Sequence, residues 1–153
     1  MEELEDIIKD YIESHNICTI AITDGINPSA HSMYYISQGL HVYMESDPQS
    51  QKLAILKANP RISVTIDEDY DDWRNIKGVE IYGRVKFTDE KHSPKLQKAF
   101  KSKFRHINEL GGIPDHHVFI EVVPEKIYFM DFTEKFGGKK VLYCKEKRRK
   151  ISW

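Results

Sequence analysis

The sequence predicts a mainly β fold: an antiparallel β-barrel with flanking α-helices. Three observations carry this reading. Apolar and polar residues alternate over several short runs, the pattern of half-buried strands. Tight-turn signals, among them Asp24-Gly25 and Gln38-Gly39, separate the first of those runs by only a few residues. Helical spacing of apolar residues is confined to a few short stretches. Roughly six or seven strands, mostly joined by short connections, fit a closed barrel, because closure removes the exposed edges that invite aggregation.

Leu4, Ile7, Ile8, Tyr11 and Ile12 recur at helical spacing, so the chain opens with an amphipathic helix. The β-branched run from Ile17 to Thr23 is a strand. Asp24-Gly25-Ile26-Asn27 turns it, Ser29 to Ile36 returns, and Ser37-Gln38-Gly39 leads into Leu40 to Glu45, which completes a β-meander. Asp47-Pro48 then marks a helix entry, with Asp as cap and Pro near the first turn. Ser50 to Ala58 is the helix, and Asn59-Pro60 ends it. Ile62, Val64 and Ile66 mark a half-buried strand, followed by the acidic loop Asp67 to Asp72. Trp73 beside that loop is expected to pack against the barrel. Val79 to Phe87 is a long strand in which Gly83 signals a bulge or a close backbone approach. Leu96, Ala99, Phe100 and Phe104 mark a further helix, closed by Gly111-Gly112-Ile113-Pro114. Val118 to Val123 and Lys126 to Phe132 form a hairpin across Pro124-Glu125, and a tail begins near Phe136. The expected organisation is one domain over 1–153, with an N-terminal helix at 1–15, the barrel at 16–132 and a C-terminal tail at 133–153.

Composition restricts the function classes. The chain has 153 residues, of which 40% are hydrophobic and 31% charged, with a formal net charge of -1. Those proportions suit a soluble globular domain with one core, and the net charge makes no case for nucleic acid or a membrane surface. The acidic opening from Met1 to Asp6 is unlike a secretory signal, so a cytoplasmic location is expected. Cys18 and Cys144 form no metal or redox motif, and Cys18 lies in an apolar strand as an inert buried thiol. The acidic loop lacks the glycine and closing glutamate of a calcium loop. Lys95, Lys98, Lys101, Lys103 and Arg105 give the third helix a basic, solvated face.

The stretch most suggestive of chemistry is Glu45 to Lys52, which runs from a strand end into a helix start. Unpaired N–H groups and the helix dipole favour an anion there, Ser46 and Ser50 add hydroxyls, and Lys52 adds a positive charge. The same residues also read as an Asp47 cap, a capping serine and a solvated lysine.

Ser50-Gln51-Lys52, followed by Lys57-Ala58-Asn59-Pro60-Arg61-Ile62-Ser63-Val64, resembles the pyridoxamine-phosphate-oxidase-like family. There a Ser-Arg-Lys segment opens a short helix and Asn-Pro-Arg-Val-Ser starts the next strand. His31-Ser32-Met33-Tyr34-Tyr35, before Gly39 and Val42-Tyr43, is similar to the family's flavin-facing hairpin. Ile76 to Gly83 is similar to its long strand. The likeness spans about Ile17 to Thr88, with a fainter match from Phe119 to Tyr143, whose Phe136 to Lys140 segment looks like a small bacterial branch of the family.

The resemblance implies an FMN-binding split barrel, a homodimer with each flavin at the subunit interface. It places Ser46, Ser50 and Lys52 on the flavin phosphate, with Gln51 standing where many members carry arginine. His31, Ser32, Met33 and Tyr34 would line the isoalloxazine and ribityl chain, largely through backbone groups. Gly78 falls where the true oxidases place a flavin-contacting glutamine, and their Arg-Leu-Ala-Pro ending is absent; the basic run Lys145 to Lys150, a solvated end, does not replace it. Oxidation of pyridoxamine phosphate is therefore not implied. What is implied is a flavin-dependent oxidoreductase acting on a small-molecule substrate or electron donor, with no evident catalytic side chain. A non-catalytic flavin- or haem-binding module is the alternative, and FAD, deazaflavin or haem are the alternatives to FMN. No metal site is expected: on a strand, His116 and His117 would point to opposite faces. His31 and His41 could meet across their hairpin but lack a carboxylate or thiol partner at ligand spacing.

Overall fold

In the computed structural model, which describes residues 3–145, one eight-stranded antiparallel sheet forms the body of the protein. Helix α1 spans Leu4–Glu13. Strands β1 (Ile17–Thr23) and β2 (Pro28–Tyr34) form a hairpin, and β3 (Ile36–Gln38) and β4 (His41–Ser46) form a second. Helix α2 (Gln51–Ala58) follows, then β5 (Arg61–Asp67), β6 (Lys77–Phe87), helix α3 (Ser93–Lys103), β7 (Val118–Asp131) and β8 (Lys139–Tyr143). The strand order is β2-β1-β5-β6-β7-β4-β3, with β8 added to β7. β2 and β3 lie at opposite ends of that order, yet only Tyr35 separates them in sequence. The segment from Pro28 to Gln38 thus serves both edges: its first half bonds to β1, its second half to β4. The barrel closes through it, and the middle strand of the meander is broken where it changes neighbours.

Inward-facing residues follow the expected period of two. Cys18, Ile20 and Ile22 of β1, Ile62, Val64 and Ile66 of β5 and Val79 and Ile81 of β6 are buried together. Ile8 and Ile12 of α1 and Leu53 and Leu56 of α2 join the same cluster, so these two helices pack into the barrel core. A second apolar cluster lies elsewhere: Ile36, Tyr43 and Phe119 meet Leu96, Phe100 and Phe104 from α3 and the residue that caps it. Cys18 is 1% exposed, and burial pushes its thiol up to about 12, which keeps it protonated and inert.

Three local readings need correction. Pro124-Glu125 makes no hairpin; β7 runs unbroken from Val118 to Asp131. The pairing skips one residue there, since Tyr82 faces Lys126 while Gly83 faces Pro124. This is a β-bulge, where a strand tolerates a residue with no N–H to donate. Glu125, the extra residue, turns to Arg61 at 2.9 Å and Arg84 at 3.1 Å. Gly83 answers to both expectations, because a Cβ at that position would overlap the Val123 carbonyl oxygen. Next, the segment read as a tail contributes β8, whose pairing to β7 runs from Lys126–Tyr143 to Met130–Lys139. Finally, Trp73 is 70% exposed, in a short 3-10 turn capped by Asp72, and does not pack on the barrel. The basic run Lys145–Lys150 lies, apart from its first residue, outside the described residues.

Gly83→Ala is expected to lower the unfolding free energy by about 1–3 kcal/mol, as other forced overpacking does. Urea denaturation should show a lower midpoint with an unchanged m value. A midpoint equal to that of the parent would mean the bulge yields at no cost.

Candidate functional site

Ser46 ends β4, paired with Val118 of β7. Asp47 to Ser50 then turn the chain: Ser50 N–H donates to the Asp47 carbonyl at 3.0 Å, and Gln49 N–H donates to Asp47 Oδ1 at 2.8 Å. Asp47 is therefore a turn residue and not the helix cap. The cap is Ser50, whose Oγ accepts from Leu53 N–H at 3.4 Å. The two serine hydroxyls lie 3.2 Å apart. Ser46 is only 7% exposed, in a buried set that is otherwise apolar. Lys52, one residue into the helix, is half-buried and makes no ion pair among the described residues; Gln51 beside it is exposed. Leu53 and Leu56 hold α2 in the core, so this helix start is fixed to a rigid element.

The expected flavin-facing quartet divides between two faces, as residues on a strand must. His31 and Met33 are half-buried and oppose Ile20 and Cys18 of β1, with Met33 against the main core and His31 Nε2 3.0 Å from Ser29 Oγ. Ser32 and Tyr34 are exposed on the other face. The Tyr34 ring meets Phe104 edge-on, with centroids 5.4 Å apart. A cavity of about 190 Å³ is lined by Tyr34, Glu45, Phe104, His106, Leu110 and Ile113; Tyr34 is the one expected site residue on its wall. Glu45 is the residue before Ser46 on β4, so its side chain walls the cavity while Ser46 turns to the other face toward Ser50. Gly78 is buried, with the end of Met130 3.0 Å from where its Cβ would be.

The histidines are arranged differently from the expectation. His31 and His41 are not cross-strand neighbours: His31 faces Ile20 and His41 faces Gln38. His41 Nδ1 lies 2.6 Å from Glu121 Oε1, to which the Tyr43 hydroxyl also donates, at 3.0 Å. Burial works to raise the Glu121 carboxyl, but the hydrogen bonds from His41 and Tyr43 outweigh it and hold the group below its usual range. His116 and His117 precede β7, in a turn where His117 N–H donates to the Pro114 carbonyl at 3.0 Å. They therefore escape strand alternation, and their rings touch with centroids 4.8 Å apart. His117 Nδ1 is hydrogen-bonded to Glu45.

Sequence reasoning named Glu45, His117 and Lys103 without joining them to partners: Glu45 as the start of the strand-to-helix stretch, His117 beside His31 and His116 as a possible axial ligand for haem, and Lys103 as one of a basic helix face. Partners such as Glu45 and His117 lie too far apart in sequence for spacing to show them. Lys103 departs from the solvated basic face of its helix. Its Nζ sits 4.3 Å from the centre of the Tyr35 ring and donates to the His15 carbonyl at 2.5 Å. Burial pushes its ammonium down to about 8, against the opposing charge of Glu13. With Ser37, Lys98 and Ser102 it also lines a shallow groove of about 480 Å³.

The family model for pyridoxamine 5'-phosphate oxidase matches residues 4–131. General stress protein 26 of Bacillus subtilis is 21% identical over 140 residues, covering 88% of this chain and 93% of the relative. Among solved structures, a FAD-binding protein from Mesorhizobium loti superposes with a TM-score of 0.67 at 24% identity, covering 83% of this chain and 92% of the other. A heme binding protein from Mycobacterium smegmatis superposes with a TM-score of 0.73 at 12% identity, over 94% of this chain and 60% of the other. At those identities the structural likeness speaks for the split-barrel fold. The chain belongs to the pyridoxamine 5'-phosphate oxidase family.

Lys103 makes stability depend on pH. A lysine in the unfolded chain titrates near about 10.4. Between about pH 8 and that value the unfolded chain holds more protons at this group than the folded chain does, so its contribution to stability rises with pH. The stability of the parent relative to Lys103→Met should increase over that window in urea melts. A difference that stays constant with pH would show that the ammonium is no more costly folded than unfolded.

Proposed function

We propose that the protein binds FMN, with the flavin phosphate on Ser46, Ser50, Lys52 and the start of α2, and that it works as a homodimer with a flavin at each of two equivalent interface sites. The observation that carries this reading is the pair of serine hydroxyls 3.2 Å apart at the head of α2, one of them buried. The donor set suits a phosphate: two hydroxyls, the first N–H groups of an eight-residue helix and a half-buried lysine without an ion pair among the described residues. Asp47, the nearby carboxylate, accepts from its own turn through Oδ1. Gln51 supplies no charge where many family members carry arginine, so Lys52 is the cationic partner. Ser32 and Tyr34 border the ring and ribityl chain with side chain and strand backbone, and His31 and Met33, on the core side of the strand, through backbone. When bound, FMN supplies the electron chemistry, and the protein supplies position and exclusion of water.

The dimer reading rests on an uncovered sheet face. Thr19 and Ala21 of β1, Ser32 and Tyr34 of β2, Thr65 of β5 and Tyr82 of β6 are exposed, and α1 and α2 pack into the core instead. Mostly small side chains on this strand face let a second copy, or a planar ring, approach closely. A twofold axis through such a face makes both sites equivalent. Oxidoreduction of a small molecule is the activity proposed, with the apolar cavity beside Glu45 as the place for the reactant. A haem-binding module is the competing reading. The absorption spectrum of the purified protein separates the two, since haem alone gives a Soret band.

Lys52→Ala should remove a charge-assisted bond to the phosphate, of the kind that contributes about 1.5–3 kcal/mol. FMN affinity, followed by quenching of flavin fluorescence, should fall about ten- to a hundredfold. An unchanged dissociation constant would remove Lys52 from the site. Sedimentation of the flavin-loaded protein should report a dimer; a flavin-loaded monomer would place the cofactor within one barrel.

A further inference from the structure

We propose that Asp47, His116 and His117 form a site for a divalent transition-metal cation of the zinc type. One ligand atom from each of the three lies within 4.8 Å of the other two. Donor atoms around tetrahedral zinc stand about 3.3 Å apart, given metal–ligand distances of about 2.0–2.1 Å. The remaining closure falls to rotation of the His116 side chain, which is exposed, while Asp47 keeps its Oδ1 bond to Gln49 N–H.

The backbone brings these residues together for a reason that owes nothing to their distance in sequence. The β4–β7 ladder ends at the pair Ser46–Val118. Asp47 and His117 are the next residues outward on the two strands. The turn from Pro114 to His117 then swings His116 to the same rim. The ring of His117 is already oriented, because its Nδ1 is hydrogen-bonded to Glu45. That leaves Nε2 as the nitrogen for an ion. A carboxylate behind a histidine ligand fixes its ring and raises its basicity, a usual feature of zinc centres. Asp47 is held comparably through Oδ1, which accepts from Gln49 N–H and leaves Oδ2 for the ion.

The donor set decides the class of cation. Two imidazoles and one carboxylate suit zinc and its neighbours, whereas calcium and magnesium take oxygen ligands. Three protein ligands leave a position open for water or a small anion. The site uses none of Ser46, Ser50 or Lys52, so it stands or falls separately from flavin binding.

The test is calorimetric titration of the untagged full chain, stripped with chelator, with Zn²⁺, together with Co²⁺ titration followed by visible absorption. One Zn²⁺ per chain is expected, with a tetrahedral-type Co²⁺ spectrum. His116→Ala and Asp47→Asn should each weaken Zn²⁺ binding by about tenfold or more, and Glu45→Gln, behind the ligand, by about ten- to a hundredfold. His116 is exposed, so its replacement leaves folding intact, which metal-free melting checks. Absence of saturable binding would overturn the proposal. So would binding unmoved by both His116→Ala and Asp47→Asn, which would put the ion elsewhere on the chain.

Discussion

The structure depends on Tyr35, the residue at which one strand changes partners. Its side chain is fully buried, and its hydroxyl donates to the Ile12 carbonyl at 2.5 Å, near the end of α1 where carbonyls lack helical partners. Its own N–H donates to the Asn16 carbonyl at 3.1 Å. Lys103, at the end of α3, lies over its ring. The N-terminal helix, both edges of the sheet and the outer helix thus converge on one side chain. Burial drives the Tyr35 hydroxyl well above its ordinary range, which keeps it a protonated donor at neutral pH. Tyr34 before it and Ile36 after it both reach the α3 cluster, Ile36 buried within it and Tyr34 exposed at its border, edge-on to Phe104. The break in the strand is what lets a single segment border the candidate cofactor face and also the outer core.

Much of this was legible in the sequence where the determinants were local. The first hairpin followed from Asp24-Gly25, and Asp24 Oδ1 accepts from Ile26 and Asn27 as such a turn requires. The alternation in β5 and β6 located the core. The serines at the head of α2 are close in sequence, so their meeting could be anticipated. Failures came where the deciding partner was remote. Pro124-Glu125 has the chemistry of a turn, and only Gly83 on the facing strand makes it a bulge. β8 is mostly exposed and so lacks the apolar alternation that betrays a strand. Glu45 and His117 are 72 residues apart, and strand alternation fails for His116 and His117 because both precede β7, in the turn that follows Pro114.

The same geometry explains why the candidate site is built at this end of the barrel. β4 delivers Glu45, Ser46 and Asp47 in succession, and each faces a different task. Glu45 orients His117 and walls the apolar cavity. Ser46 turns inward toward Ser50, and Asp47 closes the turn that launches α2. Because β4 is hydrogen-bonded to β7 and α2 is anchored by Leu53 and Leu56, the three positions are set by core packing and not by a mobile loop. Membership of the pyridoxamine 5'-phosphate oxidase family gives the frame in which these positions sit.

The central claim is that the head of α2 recognises a phosphate. Its most direct test is a comparison of FMN with riboflavin, which carries the same ring and ribityl chain without the phosphate. By fluorescence titration under identical salt, FMN should bind at least about tenfold more tightly, the factor expected for about 1.4 kcal/mol of phosphate contacts. Equal affinities for the two would contradict the account and move the flavin away from Ser46, Ser50 and Lys52.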